Sequence, residues 1–93
     1  MLNEKVAKLL NEQVNKEFYA AYLYLSFSNF YKDQGLDGFA NWYNVQAQEE
    51  RDHAMLFIQY MQNNDVPVTL EAIDKPEAEL KEKMDALKAG YTH

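Results

Sequence analysis

Gln46-Ala-Gln-Glu-Glu-Arg-Asp-His53 decides how this chain is read, because it contains Glu50-x-x-His53. Residues three apart on a helix share a face, so a carboxylate and an imidazole at this spacing reach the same point in space. The same face carries Phe39, Tyr43, Phe57 and Met61 at intervals of three and four. Glu50 and His53 therefore sit on an apolar stripe, where an unpaired charge is costly, and a partner is expected for them.

Working outward, the sequence predicts a long first helix over about 3–32, free of proline and glycine. Asn3 is the expected N-cap. Val6, Leu10, Val14, Glu17, Ala21, Tyr24 and Tyr31 share one stripe, and Phe18, Tyr22 and Leu25 form another beside it. Apolarity on more than one side predicts burial against more than one neighbour, such as a second subunit. Gly35 suits the left-handed position that ends a helix, and the short loop implies an antiparallel hairpin.

A second helix is expected over about 37–63, with Trp42 beside its buried stripe and Ala54-Met-Leu-Phe-Ile58 widening it. Val66-Pro-Val-Thr-Leu70 favours an extended crossover over 64–75. Pro76 opens a short helix expected over about 76–90, with a stripe of Leu80, Met84, Leu87 and Tyr91. Glu77–Lys81 and Glu79–Lys83 support it as i,i+4 pairs. The fold class is all-α: a helical hairpin, half of a four-helix bundle, plus a short C-terminal helix, completed by a second chain.

Folding the hairpin about residue 35 sets position 17 opposite roughly position 53. Glu17 then joins Glu50 and His53 at one depth, a carboxylate–carboxylate–imidazole set suited to iron, manganese or zinc. The plainer reading of Glu-x-x-His is a surface pair or a hydrogen-bonded couple; the apolar flanks and Glu17 argue against it. Tyr24, two turns from Glu17, is a candidate to bond a ligand or donate an electron, or simply a core aromatic. Gln46 and Glu49 are candidate accessory ligands, Glu49 more in keeping with a solvated acid, and His93 is expected to be inert. One hairpin supplies three ligands and leaves half a core open. Two hairpins about a twofold axis supply the ligand set of the di-iron carboxylate bundles.

Composition bounds the rest. The 93 residues make one domain, 47% hydrophobic and 26% charged, with a net charge of −6. That charge disfavours nucleic acid and anionic membranes and favours cations. No cysteine is present, which removes thiolate chemistry and iron–sulfur clusters. No apolar run is long enough to span a membrane, and a cytoplasmic location is expected.

The chain resembles bacterial non-haem ferritin along its whole length. The likeness rests on Asn11-Glu-Gln-Val-Asn-Lys-Glu17, Ala20-Ala-Tyr-Leu-Tyr-Leu25, Gly38-Phe-Ala-Asn-Trp42, Gln48-Glu-Glu-Arg-Asp-His-Ala54 and Leu87-Lys-Ala-Gly90. The resemblance implies that Glu17, Glu50 and His53 ligate the first iron of a ferroxidase centre. It implies that Glu50 bridges to a second iron and that Tyr24 stands beside the centre. Such proteins oxidise Fe(II) with dioxygen or peroxide and store ferric mineral in a homo-oligomeric cage; Zn2+ or Mn2+ can substitute at such donors.

The departure is length. The chain resembles the front half of a ferritin subunit, as a truncation, a proteolytic fragment or an engineered half would. A symmetric pair of such halves would restore a di-iron site. The alternatives are a self-assembling helical module without turnover, and a rubrerythrin-like peroxide-reducing protein, against which the missing cysteines count.

Overall fold

The computed structural model describes residues 3–76. Two helices make the fold, α1 (Glu4–Asp33) and α2 (Asp37–Asn63), and no strand occurs among the described residues. The short helix expected over about 76–90 lies outside them, apart from Pro76, which sits in a turn. No helix among the described residues is long and apolar enough to cross a membrane.

Local chemistry sets the helix ends. Asn3 caps α1, its Oδ1 accepting the Val6 N–H at 2.8 Å. At the other end Gly35 takes a left-handed φ of 75°. Gly35 N–H donates to Lys32 O at 3.0 Å and Leu36 N–H to Tyr31 O at 2.9 Å. These are the two bonds of a Schellman motif, which satisfies carbonyls that the helix end would otherwise strand. The same motif ends α2. There Asp65 adopts φ 58°, and Asp65 and Val66 donate to Gln62 O and Met61 O at 3.1 and 2.9 Å.

The hairpin closes along small side chains. On α2 the buried residues are Ala40, Ala47, Ala54 and Met61, each seven after the last. On α1, Val14 and Ala21 are buried and Ser28 is half-buried. The Ser28 hydroxyl donates to Ala40 O at 2.7 Å, a bond that crosses between the helices. That bond fixes an antiparallel register in which Ala21 lies opposite Ala47 and Val14 opposite Ala54. A seven-residue repeat is the spacing of left-handed supercoiled helices, and alanines at the contact let the axes approach closely.

This corrects the reading of the apolar stripes. The sequence pattern places Val6, Leu10, Val14, Glu17, Ala21, Tyr24 and Tyr31 on one stripe of α1, and Phe39 with Tyr43, Phe57 and Met61 on one stripe of α2. The structure divides each into two rows. Val14, Ala21 and Met61 belong to the seam. Glu17, Tyr24 and Tyr31 each stand three residues after a seam position, as do Tyr43, Glu50 and Phe57. In an antiparallel pair these offset rows fall on the same flank. Val6 and Phe39 are exposed; so are Tyr22 and Leu25, which belong to the stripe expected to meet a second neighbour. The physical reason is that one hairpin has one seam: off it, Leu23 and Phe27 are still buried, while other large apolar residues are left exposed.

The crossover after α2 is pinned by side chains. Asn11 pairs with both backbone groups of Thr69: its Oδ1 accepts the N–H at 2.8 Å and its Nδ2 donates to the carbonyl at 3.1 Å. Asn15 Nδ2 donates to the same carbonyl at 3.0 Å, and its Oδ1 accepts the Glu71 N–H at 2.8 Å. Two asparagines one turn apart thus act as a strand edge for an extended segment. They lie on the side of α1 turned away from Glu17, so among the described residues the crossover leaves the flank of Glu17 and Glu50 open.

Ala47→Leu is expected to lower stability by about 1–3 kcal/mol, the usual cost of forcing extra methylenes into a close contact. Urea unfolding followed by circular dichroism checks it; an unchanged midpoint contradicts the close seam.

Candidate metal centre

The offset rows change character along the hairpin. Near the loop they are aromatic. Tyr43 meets four rings, with centroids 5.9 Å to Tyr24, 5.2 Å to Phe27, 5.5 Å to Tyr31 and 4.9 Å to Trp42. Tyr31 and Tyr43 are stacked, 7° from parallel. One heptad further from the loop the rows carry Glu17 and Glu50. Beyond them Leu10, Leu56, Phe57 and Tyr60, with Glu17 and His53, line an open groove of about 570 Å³.

Glu17, Glu50 and His53 come together. Each offers an atom, and these atoms lie within 4.8 Å of one another. His53 Nδ1 is 3.6 Å from Glu50 Oε2 and 3.8 Å from Glu17 Oε2, too long for hydrogen bonds and short enough to share one cation. The two carboxylates are mostly covered, with side chains 14% and 20% exposed, while the imidazole is 52% exposed. The apolar stripe implied deeper burial for all three. The open flank explains the difference, since His53 points past the edge of the seam.

Among the described residues no other group of three such side chains was found. Gln46 is half-buried and Glu49 exposed, and neither belongs to the cluster. Tyr24 is half-buried within the aromatic layer, one heptad from Glu17 towards the loop, with rings of Phe27 and Tyr43 as its neighbours. One contact was missed in the sequence. Gln13 Nε2 donates to Glu17 Oε1 at 3.0 Å. Its i,i+4 spacing is the only sequence signal for it.

The electrostatics fit a site short of positive charge. The Glu50 carboxyl is held above its ordinary 4.5. The largest cause is its hydrogen bond with Glu17, followed by burial and by the charge of Glu17; His53 opposes them. Two carboxylates this close resist joint ionisation, and a cation between them relieves the conflict. Two oxygen donors and one imidazole, with no thiolate, fit a hard or borderline cation such as iron, manganese or zinc.

A family model described as the ferritin-like domain matches residues 7–93. The chain belongs to the ferritin family. It is 43% identical over 93 residues to a bacterial non-heme ferritin of Campylobacter jejuni, spanning the whole of this chain and 56% of that protein. A bacterial non-heme ferritin of Staphylococcus saprophyticus is 37% identical over 90 residues, covering 97% of this chain and 54% of the relative. Among solved structures, an open-pore ferritin from the hyperthermophilic archaeon Archaeoglobus fulgidus superposes with a TM-score of 0.78. It is 41% identical, over 81% of this chain and 46% of its own. The ferritin chain described here thus spans about half the length of the relatives it matches.

The raised Glu50 value gives a testable pH dependence. Between pH 4.5 and the raised value the folded state holds more protons than the unfolded one. Stability of the metal-free protein therefore falls as pH rises through that window and stays lowered above it. Glu50→Gln removes the titration while keeping the shape. At neutral pH it is expected to melt at or above the wild-type temperature without metal, the difference fading below pH 4.5. A clearly lower melting temperature at neutral pH contradicts carboxylate conflict at the site.

Proposed function

We propose that this ferritin chain binds Fe(II) through Glu17, Glu50 and His53 and contributes half of a di-iron centre for iron oxidation and storage. The observation that carries the reading is the convergence of these side chains, with donor atoms within 4.8 Å, on the open flank of the hairpin. Membership of the ferritin family and likeness to proteins named as bacterial non-heme ferritins support iron as the cation. Zn2+ or Mn2+ suits the same donors and is expected to compete.

In this reading Glu17 and His53 hold one iron, and Glu50 reaches both that iron and a second. Each Fe(II) gives up one electron, and dioxygen or peroxide accepts the electrons. The protein's part is to keep two cations close together and screened by carboxylates. Tyr24, in the adjacent aromatic layer, is a neighbour of the centre and not a ligand to it.

A second set of helices must cover the flank. We assign that role to a second copy of this hairpin, giving at least a dimer of hairpins. Two copies supply two Glu17 and two Glu50/His53 pairs, the donor set of di-iron carboxylate bundles. Large apolar side chains on the uncovered surface, including Leu56 and Tyr60 beside the centre and Phe39 and Trp42 beside the aromatic layer, are consistent with such a partner.

Glu17→Ala and His53→Ala are each expected to abolish Fe(II) oxidation, followed by ferric absorbance after mixing with dioxygen, while helix content and assembly stay as in wild type. Retained oxidation in both variants contradicts the assignment. Loss of assembly in both makes the residues structural.

A further inference from the structure

Glu17 is flexible by nature, with three side-chain torsions, yet besides its hydrogen bond with Glu50 its two oxygens have different contacts. Oε2 faces the His53 imidazole at 3.8 Å. Oε1 accepts a hydrogen bond from Gln13 Nε2 at 3.0 Å, one helical turn earlier and in a partly buried setting. A carboxylate cannot donate when ionised, so the amide must present its NH2 group, and chemistry fixes which way Gln13 points.

We infer that Gln13 is a positioning residue for the metal centre: its amide tethers Glu17 Oε1 and leaves Oε2 aimed at the cation. The inference rests on the metal-site reading of Glu17, Glu50 and His53. Gln13 does not touch the cation; it acts through Glu17. A carboxylate ligand held by an outer partner loses less freedom on binding, and such partners commonly change metal affinity about 10–100-fold. The neutral donor also matters. Lys or Arg at this position would bond the same oxygen but add positive charge beside the cation. An amide orients the carboxylate and leaves its negative charge for the metal.

Gln13 lies on the flank of α1 that carries Glu17, and the crossover clamp of Asn11 and Asn15 lies on another side. Its replacement therefore leaves the seam and the clamp untouched.

The test uses the full chain with Co(II) as probe, read by its visible absorption and by titration. Gln13→Met keeps length and helix propensity and removes the donor. It is expected to weaken Co(II) binding about 10–100-fold and to change the absorption envelope, with helix content unchanged. Wild-type affinity and envelope in a folded Gln13→Met overturn the inference. Gln13→Lys keeps an N–H donor at similar reach, so its envelope is expected to match wild type even where its charge lowers affinity. An altered envelope in that variant also overturns the inference, and this arm serves if Gln13→Met loses helix content. Glu17→Ala and His53→Ala run in parallel separate the two claims. If they abolish Co(II) binding while Gln13→Met does not alter it, only the role of Gln13 falls. If they too bind Co(II) as wild type does, the metal-site reading falls with it.

Discussion

Close contact between two helices along Ala40, Ala47, Ala54 and Met61 is the constraint on which the rest depends. The Ser28–Ala40 bond sets its register, and the register alone decides what meets on the flank. Residues three places after the seam positions fall beside it at matching heights. Tyr31 and Tyr43 stack, and Glu17 reaches Glu50 and His53. A slip of one turn would move each row about 5.4 Å along its axis and separate the carboxylates from one another. The candidate metal centre is therefore a consequence of helix packing, and small seam residues matter to it without touching it.

The centre sits where two opposed demands meet. Apolar neighbours and partial burial disfavour charge, yet two carboxylates stand within 4.8 Å of each other and of an imidazole. The metal-free protein answers by holding Glu50 towards its protonated form. A divalent cation removes that conflict, which is why a strained pair of acids reads as a binding site. The open flank sets a second demand. Leu56 and Tyr60 beside the site are exposed, and burying a large apolar side chain contributes roughly 1.5–3 kcal/mol. In the proposed dimer, covering the candidate metal site and covering this surface would be one event.

Much of this was legible in the residues. The absence of proline and glycine over α1, Gly35 at the turn and the three-residue spacing of Glu50 and His53 point directly to a hairpin with candidate ligands on one face. Folding it about residue 35 is enough to bring Glu17 to the right depth. The division of the apolar stripes was not legible. A scan for large apolar residues overlooks Ala40, Ala47 and Ala54, whose importance lies in being small. The asparagine clamp was hidden for another reason. Asn11 and Asn15 read as polar surface residues, and their partners Thr69 and Glu71 lie 54 to 58 residues away in an irregular segment. Gln13 was hidden because an amide one turn from a glutamate is common on helices and signals nothing until the glutamate's role is known.

In the proposed function the triad is half of a centre completed across the open flank. Native mass spectrometry of the 93-residue chain after anaerobic Fe(II) loading, with iron counted in the same sample, tests it most directly. An even-numbered assembly carrying about one iron per chain is the predicted result, since paired hairpins would hold two irons between them. A monomer without bound iron would contradict it.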